Sequence, residues 1–258
     1  MDNVNKTLYI PLYGKAFVSR KGILLSDPDA ERIWASAGIT LKGKSASKWL
    51  AYNMAMRAAV FDGWLRENLT PGAVVLHLGC GLDSRCSRVK CENRWYDVDF
   101  PAVIEERKRH FAESDTYHMV GSDLRADWLK EIPGGGTAVV VMEGVSMYLT
   151  ARERLALLKR LTGHFTEVKL LLDAYTVFAA KATKYKNPIN EVGVTQVYGF
   201  DDPRDPENGT GLRFRKEHDL TPAALIEKLP KAEQRFFRLM FAGKMAKKIY
   251  RLYEYRNQ

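Results

Sequence analysis

Five short apolar runs recur along the middle of the chain, separated by segments that are compatible with helices. Most of these runs have the length and nearly continuous apolar composition of a strand that is covered on both faces of a parallel sheet. The runs comprise residues 74–78, 95–100, 117–121, 138–142 and 168–172. A regular alternation of strand and helix predicts an α/β fold with a mostly parallel sheet.

The residues before the first strand predict a helical cap. Residues 1–25 read as irregular or only partly helical, although their apolar content indicates that they pack. Asp27 and Pro28 predict the start of a short helix, with aspartate as the N-cap and proline at the first helical position. Residues 45–68 predict a longer amphipathic helix that carries Arg57 among its apolar positions.

The last third of the chain breaks the alternation. Residues 176–219 are polar and contain several glycines and prolines, a composition that favours an inserted lid or substrate loop. A helix at 221–229 and the apolar run 235–241 are then expected to complete the sheet with an antiparallel edge strand. The expected organisation is one domain with four parts: a cap (1–72), a core (73–175), a lid (176–219) and a C-terminal sheet edge (220–258).

The composition is that of an ordinary globular protein, with 46% hydrophobic and 28% charged residues among 258. No apolar run approaches the roughly 20 residues that a membrane span requires. The N-terminus lacks the basic start and the long apolar stretch of a secretory signal. We therefore expect a cytoplasmic protein without a membrane partner.

The net charge of +9 raises the possibility of a nucleic-acid partner. Its basic tail, however, interleaves Met245, Ile249 and Leu252 with lysines and arginines. Such interleaving favours a packed segment with a solvated basic face, so we do not expect nucleic acid to be the partner. The sequence favours no particular oligomeric state.

Three cysteines and one histidine lie close together in the sequence, at Cys80, Cys86, Cys91 and His77. Their spacing matches no common zinc site, and Cys80 sits inside a glycine turn. An odd number of cysteines also makes no disulfide framework. We expect free thiols and no metal site.

The glycine turn after the first strand is the feature around which the core is organised. Gly79 and Gly81 allow the backbone to turn sharply and approach a ligand closely. Asp99 follows twenty residues after Gly79, where a nucleotide-binding α/β unit places the acid that binds ribose hydroxyls. The third glycine of the dinucleotide motif and a phosphate-binding Gly-Lys-Ser/Thr are both missing from the loop after this strand. The pattern therefore suits an adenosine without a pyrophosphate, and S-adenosylmethionine is the best candidate.

Two further strand ends carry candidate binding residues. Asp123 and Leu124 lie just past the third strand, and Glu143 directly follows the fourth. A carboxylate at the end of a central strand is costly unless a cation or a hydrogen-bond donor meets it. Ligands of open α/β sheets bind at this edge, which favours a functional role for Glu143 over a structural one.

Several phrases at these positions resemble the leucine carboxyl methyltransferase family, and in particular its bacterial branch of polyketide-type O-methyltransferases. They cover roughly residues 8–155 and read LYGKAFVSR, MRAAVFD, VVLHLGCGLDSRCSRV, WYDVDFPAVIEERK, GSDLR and MEGVSMYLT. The resemblance implies a class I methyltransferase with a Rossmann-like sheet, S-adenosylmethionine as the cofactor and S-adenosylhomocysteine as its product.

The resemblance also implies roles at the methionine end of the cofactor. Lys15 and Arg57 are expected to hold the methionine carboxylate, and a guanidinium with an ammonium suits that group. Glu143 is expected near the methionine ammonium.

At the adenosine end, the resemblance places Gly79 against the cofactor and Asp99 on the ribose hydroxyls. Asp123 and Leu124 are expected at the adenine.

The implied reaction is methyl transfer to a hydroxyl or carboxyl oxygen of a small acceptor. Three alternatives stay open: a protein carboxyl methyltransferase, a nucleic-acid methyltransferase and a binding protein that has kept the cofactor fold without catalysis. Against the second, Glu143 is followed by no proline, whereas enzymes that methylate base amines carry two prolines there. Against the third, every expected cofactor position holds a chemically suitable residue.

The sequence identifies no catalytic residue. A carboxylate acceptor needs no general base, while a phenol or an enol would benefit from one. Among the histidines, His218 beside the expected lid is the one candidate base. Tyr148 is interpreted either as facing the cleft or as a core residue.

Overall fold

Seven strands form one sheet in the computed structural model, which describes residues 3–182 and 196–257. The strands are β1 (Val74–Leu78), β2 (Trp95–Asp99), β3 (Tyr117–Gly121), β4 (Thr137–Met142), β5 (Glu167–Tyr175), β6 (Arg213–His218) and β7 (Tyr250–Arg256). Their order across the sheet is β3-β2-β1-β4-β5-β7-β6.

Helices precede the sheet and fill most of the connections between its strands. Those of the described residues are α1 (Asn3–Arg20), α2 (Pro28–Ser36), α3 (Lys48–Asn68), α4 (Arg85–Val89), α5 (Pro101–Lys108), α6 (Ala151–His164), α7 (Val177–Ala182), α8 (Ala223–Ile226), α9 (Lys231–Phe241) and α10 (Lys244–Lys247). No helix among them combines the length and the apolarity needed to cross a bilayer.

Strand β1 lies between β2 and β4 and pairs with both in parallel. Leu78, its last residue, is opposite Val98 on one side and Met142 on the other. The carboxyl ends of these three strands therefore meet at one edge of the sheet. Strand β7 runs antiparallel between β5 and β6. The prediction of a mostly parallel sheet is confirmed, and the antiparallel strand is second from the edge.

Both faces of the central strands are buried, as their continuous apolar sequences require. In β4, Val140 and Met142 pack into the cluster on one face, while Val139 and Val141 pack into the cluster on the other. Side chains that alternate between two covered faces explain why residues 138–142 of this strand are all apolar.

The N-terminal helices α1, α2 and α3 pack against one another, and α3 also contacts strands β4 and β5. The expectation that residues 1–25 are irregular or only partly helical was wrong for most of that range, because α1 is continuous to Arg20 and contains Pro11. Gly14 lets α1 approach α3 closely, since a Cβ there would lie 3.0 Å from the Cβ of Met54. The predicted start of helix α2 is confirmed, because Asp27 is its N-cap and accepts a hydrogen bond from Ala30 N at 2.9 Å.

The C-terminal part differs from the expectation in one element. The run 235–241 is not an edge strand, because it belongs to helix α9. Phe237 is buried while its neighbour Phe236 is 45% exposed. A short apolar run fits either a strand or a buried helix segment. The sheet is instead completed by β7, which the sequence analysis read as a packed basic tail, and by β6.

The expected lid, 176–219, contains several different pieces. It includes α7, a short 3-10 helix at Asp205–Glu207 and strand β6, so its last residues are part of the sheet instead of an insert. Residues 183–195 of the expected lid lie outside the described residues.

Candidate active site

A cavity of about 1000 Å³ opens at the carboxyl ends of the parallel strands, beneath the N-terminal helices. It is lined by all seven residues that the sequence analysis selected: Lys15, Arg57, Gly79, Asp99, Asp123, Leu124 and Glu143. Residues from α1, α3 and four strand ends thus meet at one place, as expected for an open α/β sheet.

Gly79 forms the floor of the cavity where β1 ends. Its φ of +67° lies in the region that favours glycine, and a Cβ at this position would overlap the side chain of Val145. The loop after β4 therefore packs directly against the glycine turn. The close packing of Val145 therefore requires that position 79 carry no side chain.

Asp99 is held rigidly at the end of β2. One carboxylate oxygen accepts a hydrogen bond from Gly81 N at 2.8 Å and the other from Phe100 N at 2.7 Å. Burial raises the pKa of Asp99, and these two backbone bonds oppose the shift. Each oxygen keeps a lone pair that can accept from a ligand hydroxyl. This is a suitable arrangement for the paired hydroxyls of a ribose.

Asp123 and Leu124 flank the cavity beyond β3. Leu124 is buried in the core cluster and offers an apolar surface. Asp123 forms an ion pair with the exposed Arg125, at 2.9 Å between Arg125 Nε and Asp123 Oδ1. This hydrogen-bonded pair lowers the pKa of Asp123.

Glu143 is met by two guanidinium groups at the end of β4. Arg57 Nε lies 2.9 Å from Oε1, and Arg85 forms a second ion pair with Oε2. Burial opposes ionisation of Glu143, but the charges of Arg85, Arg57 and Lys15 outweigh it and hold the pKa at about 2. The carboxylate that seemed costly from the sequence is therefore compensated by fixed cations.

Arg57 also binds a second buried carboxylate, at 2.8 Å between its NH1 atom and Asp173 Oδ2. The same nitrogen lies 3.4 Å from the hydroxyl of Tyr250. Its other terminal nitrogen contacts only the sulfur of Met54 among the described residues, at 3.6 Å. Two sides of the guanidinium are thus occupied, and one terminal nitrogen has no oxygen partner in the part of the chain described.

Lys15 is nearly fully buried and faces Asp83, with 3.4 Å between Nζ and Oδ2. Asp83 is also 2.6 Å from Arg88. Lys15 and Arg57 thus line the same cavity but face different carboxylates, and nothing in the sequence pattern indicated either of these ion pairs.

Arg85 is the main site residue that the sequence analysis missed. It is fully buried at the start of α4 and pairs with Asp62 at 2.8 Å, with Asp83 at 3.2 Å and with Glu143. Its NH1 atom lies 3.3 Å from Nε2 of His77. An arginine in the first turn of a helix opposes the helix dipole, which was the available signal that it has another partner.

His77 connects this cluster to the interior of the sheet. Its Nδ1 lies 3.0 Å from Asp97, which also accepts hydrogen bonds from Trp95 and Tyr117. Burial opposes ionisation of Asp97, but the charge of Arg107 outweighs it and lowers the pKa to about 2. His77 therefore belongs to a buried polar network. Among the described residues, no group of three His, Cys, Asp or Glu side chains could hold a metal ion.

The other end of the cavity is mainly apolar. The side chains there come from α3, from the loop after β4 and from the stretch that runs from the end of α9 through α10 to the first residue of β7: Trp49, Leu50, Met54, Met147, Tyr148, Met240, Phe241, Met245, Ile249 and Tyr250. Tyr148 lines the cavity and is 40% exposed, which supports the cleft interpretation over the core one. His218 of β6 lies outside this lining, and its Nε2 lies 2.7 Å from Glu254 of the neighbouring strand β7.

Comparison with known proteins decides which family the chain represents. Residues 5–162, more than half of the chain, match the leucine carboxyl methyltransferase family. The chain belongs to this family. A tetracenomycin polyketide synthesis O-methyltransferase from Streptomyces glaucescens is 32% identical over 234 residues, which are 88% of this chain and 86% of that one.

A second relative supports the predicted cofactor, S-adenosylmethionine. An S-adenosyl-L-methionine-dependent methyltransferase from Gibberella zeae is 30% identical over 198 residues, or 69% of this chain and 66% of that one. The family member described here is likewise an S-adenosylmethionine-dependent methyltransferase.

Solved structures show the same fold. A putative methyltransferase from Thermobifida fusca superposes with a TM-score of 0.57 at 13% identity, over 94% of this chain and 93% of that one. The magnesium protoporphyrin IX methyltransferase from Synechocystis, with bound S-adenosylhomocysteine, superposes with a TM-score of 0.53 at 13% identity, over 89% and 93%. The prediction of a class I methyltransferase fold is confirmed.

Proposed function

We propose that this protein transfers a methyl group from S-adenosylmethionine to a hydroxyl or carboxyl oxygen of a small, largely apolar acceptor. The observation that carries the proposal is the division of one cavity into two ends. One end is lined by carboxylates and a glycine turn, and the other by aromatic and aliphatic side chains.

The polar end fits the cofactor residue by residue. Asp99 would accept hydrogen bonds from the ribose hydroxyls, because its carboxylate is fixed by hydrogen bonds from Gly81 N and Phe100 N and its oxygens still have free lone pairs. Asp123 and Leu124 would flank the adenine, one as an acceptor and the other as an apolar surface.

At the methionine end, Glu143 would meet the ammonium group, since its low pKa keeps it ionised. Arg57 would hold the methionine carboxylate through the terminal nitrogen that faces Met54. Lys15 would add a second positive charge, 3.4 Å from Asp83.

Bound S-adenosylmethionine supplies a methyl group on a positively charged sulfur, which an acceptor oxygen can displace directly. The protein's own contribution is therefore positioning and exclusion of water. Gly79 and Val145 pack closely and form part of the cavity wall. Tyr148 also lines the cavity, and desolvation by the surrounding protein raises its pKa, so its hydroxyl would donate a hydrogen bond to an acceptor and would not act as a base.

The choice of a small acceptor rests on the apolar lining of this end of the cavity and on the relative from polyketide synthesis. An apolar end lined by Trp49, Phe241 and Ile249 suits a ring system or an acyl chain better than a flexible polar peptide.

The test is a transfer assay with methyl-labelled S-adenosylmethionine and a panel of aromatic phenols and aromatic carboxylic acids. We expect label in at least one small acceptor, and mild alkali would release it from a methyl ester but not from an ether. Label that enters only added protein or nucleic acid would contradict the proposal.

A further inference from the structure

An exposed face of α9 and α10 combines large apolar side chains with unpaired basic ones. We call this surface the α9–α10 face and define it by five apolar and four basic residues: Phe236, Leu239, Met240, Met245, Ile249, Lys231, Arg235, Lys244 and Lys248. All nine are exposed, and Leu239, at 73%, is the most exposed large hydrophobic residue in the part of the chain that the structure describes.

Helix α9 has three distinct sides. At 100° per residue, Phe237 and Phe241 fall on one side, and they pack into the core with Tyr52 and Trp49. Leu239 and Met240 fall on an adjacent, exposed side.

The basic side chains of α9, at Lys231, Arg235 and Arg238, occupy the remaining side, next to Leu239. The exposed apolar stripe is therefore not the core face of the helix.

The positive charge of the chain is concentrated here. Residues 227–248 contain seven basic and two acidic side chains, which is more than half of the net charge of +9. The two acids are already engaged, Glu233 with Lys48 at 2.8 Å and Glu227 with Arg238 at 3.6 Å. Lys231, Arg235, Lys244 and Lys248 form no ion pair with any described residue, so their charge is available to a partner.

We propose that the α9–α10 face docks on an anionic lipid surface. An amphipathic segment with lysine and arginine beside exposed leucine and phenylalanine inserts its apolar side chains at the level of the head groups, while its basic side chains bind lipid charge. The expectation of no membrane partner rested on the lack of a spanning segment, and a peripheral surface of this kind does not require one.

The α9–α10 face shares residues with the cavity, which indicates what docking would achieve. Met240, Met245 and Ile249 belong to the face and also line the apolar end of the cavity. The same apolar side chains thus form part of the exterior surface and part of the lining of the acceptor end. An apolar acceptor dissolved in a lipid surface could enter the cavity without crossing water.

Vesicle co-sedimentation of the full chain tests the proposal. We expect binding to vesicles of phosphatidylcholine with about 30% phosphatidylglycerol, at least tenfold stronger than to pure phosphatidylcholine and weakened by 0.5 M salt, because each basic residue near an anionic surface contributes about fivefold. Equal binding to both vesicle types, or no binding to either, would overturn it.

Matched variants separate the two components of the face. Lys244→Gln with Lys248→Gln should weaken vesicle binding at least tenfold, whereas Lys130→Gln with Lys216→Gln removes the same charge from other exposed sites and should change it less than twofold. Leu239→Ser should weaken binding several-fold, with Phe178→Ser, which is 67% exposed on α7, as its control.

A nucleic-acid partner predicts a different pattern. It would show salt-sensitive binding of single-stranded RNA that Leu239→Ser leaves unchanged, together with no preference for anionic vesicles. That result would replace the lipid proposal with the alternative that the net charge first suggested.

Discussion

Glu143 and Asp173 share the guanidinium of Arg57, at 2.9 Å and 2.8 Å, yet their pKa values shift in opposite directions. Glu143 has a second cationic partner in Arg85, which lowers its pKa to about 2 against the effect of burial. Asp173 pairs with no cation other than Arg57 among the described residues, and it also accepts a hydrogen bond from Gly144 N. Burial and the neighbouring charge of Glu143 raise its pKa to about 6, although Arg57 opposes the shift. One buried cation therefore does not compensate two buried carboxylates fully.

The raised pKa of Asp173 predicts a pH-dependent stability difference. The folded state binds this proton more tightly than the unfolded chain, where the pKa is 3.8, so ionisation costs stability as pH rises from about 4 to about 6. Asp173→Asn cannot ionise. The unfolding free energy of the variant minus that of the wild type should rise by about 2 to 3 kcal/mol between pH 4 and pH 7.

Urea denaturation of both proteins at several pH values measures this difference. A difference that stays constant, or that falls with rising pH, would show that Asp173 is ionised in the folded state throughout.

Removal of Arg85 should destabilise the protein strongly. Arg85→Met leaves Asp62, Asp83 and Glu143 with one cation fewer in a buried site, for an expected loss of about 3 kcal/mol or more in unfolding free energy. Arg32→Met is the control, because its ion pair with Asp29 is exposed and should contribute less than about 1 kcal/mol.

The same variant tests the link to cofactor binding. If Arg85 fixes the carboxylate of Glu143, Arg85→Met that remains folded at low temperature should also bind S-adenosylmethionine at least tenfold more weakly. Unchanged stability and unchanged affinity would remove Arg85 from the site.

A methyl group at Gly79 should disrupt the floor of the cavity. Gly79→Ala combines a strained φ of +67° with overlap on Val145, so we expect a loss of about 2 kcal/mol or more in unfolding free energy and weaker cofactor binding. Gly63→Ala is the control. Its Cβ would meet nothing within 4 Å inside α3, and it should stabilise by about 0.5 to 1 kcal/mol.

A double variant separates the two causes. Gly79→Ala with Val145→Ala relieves the overlap but keeps the backbone strain, so it should recover part of the lost stability, as thermal unfolding would show. No recovery would mean that the backbone conformation alone requires glycine.

The positions of the site residues could be predicted because they depend on strand ends. Asp99 ends β2, and Asp123 and Glu143 come after β3 and β4, all of which the sequence analysis predicted as strands; parallel strands bring those ends to one edge. Their ion-pair partners could not be predicted in the same way. Arg85 reaches Glu143 across 58 residues of sequence, and no local pattern encodes that contact.

The C-terminal part shows the corresponding limit for the fold. In the run 235–241, apolar residues occupy adjacent positions because α9 has a core side and an exposed apolar stripe side by side. That pattern hides the helical period and resembles a buried strand. In β7, by contrast, Arg251 and Arg256 give a basic character to the sequence of a strand that is largely buried. The sequence analysis therefore read it as a tail with a solvated face.

Calorimetric titration of S-adenosylmethionine tests the central claim most directly, with the wild type, Asp99→Ala and the control Asp127→Ala, whose side chain is exposed. We predict micromolar binding by the wild type and by the control. Asp99→Ala should bind at least tenfold more weakly, because hydrogen bonds to a charged group are lost. No binding by the folded wild type, or equal affinity in all three proteins, would contradict the assignment of this cavity as the cofactor site.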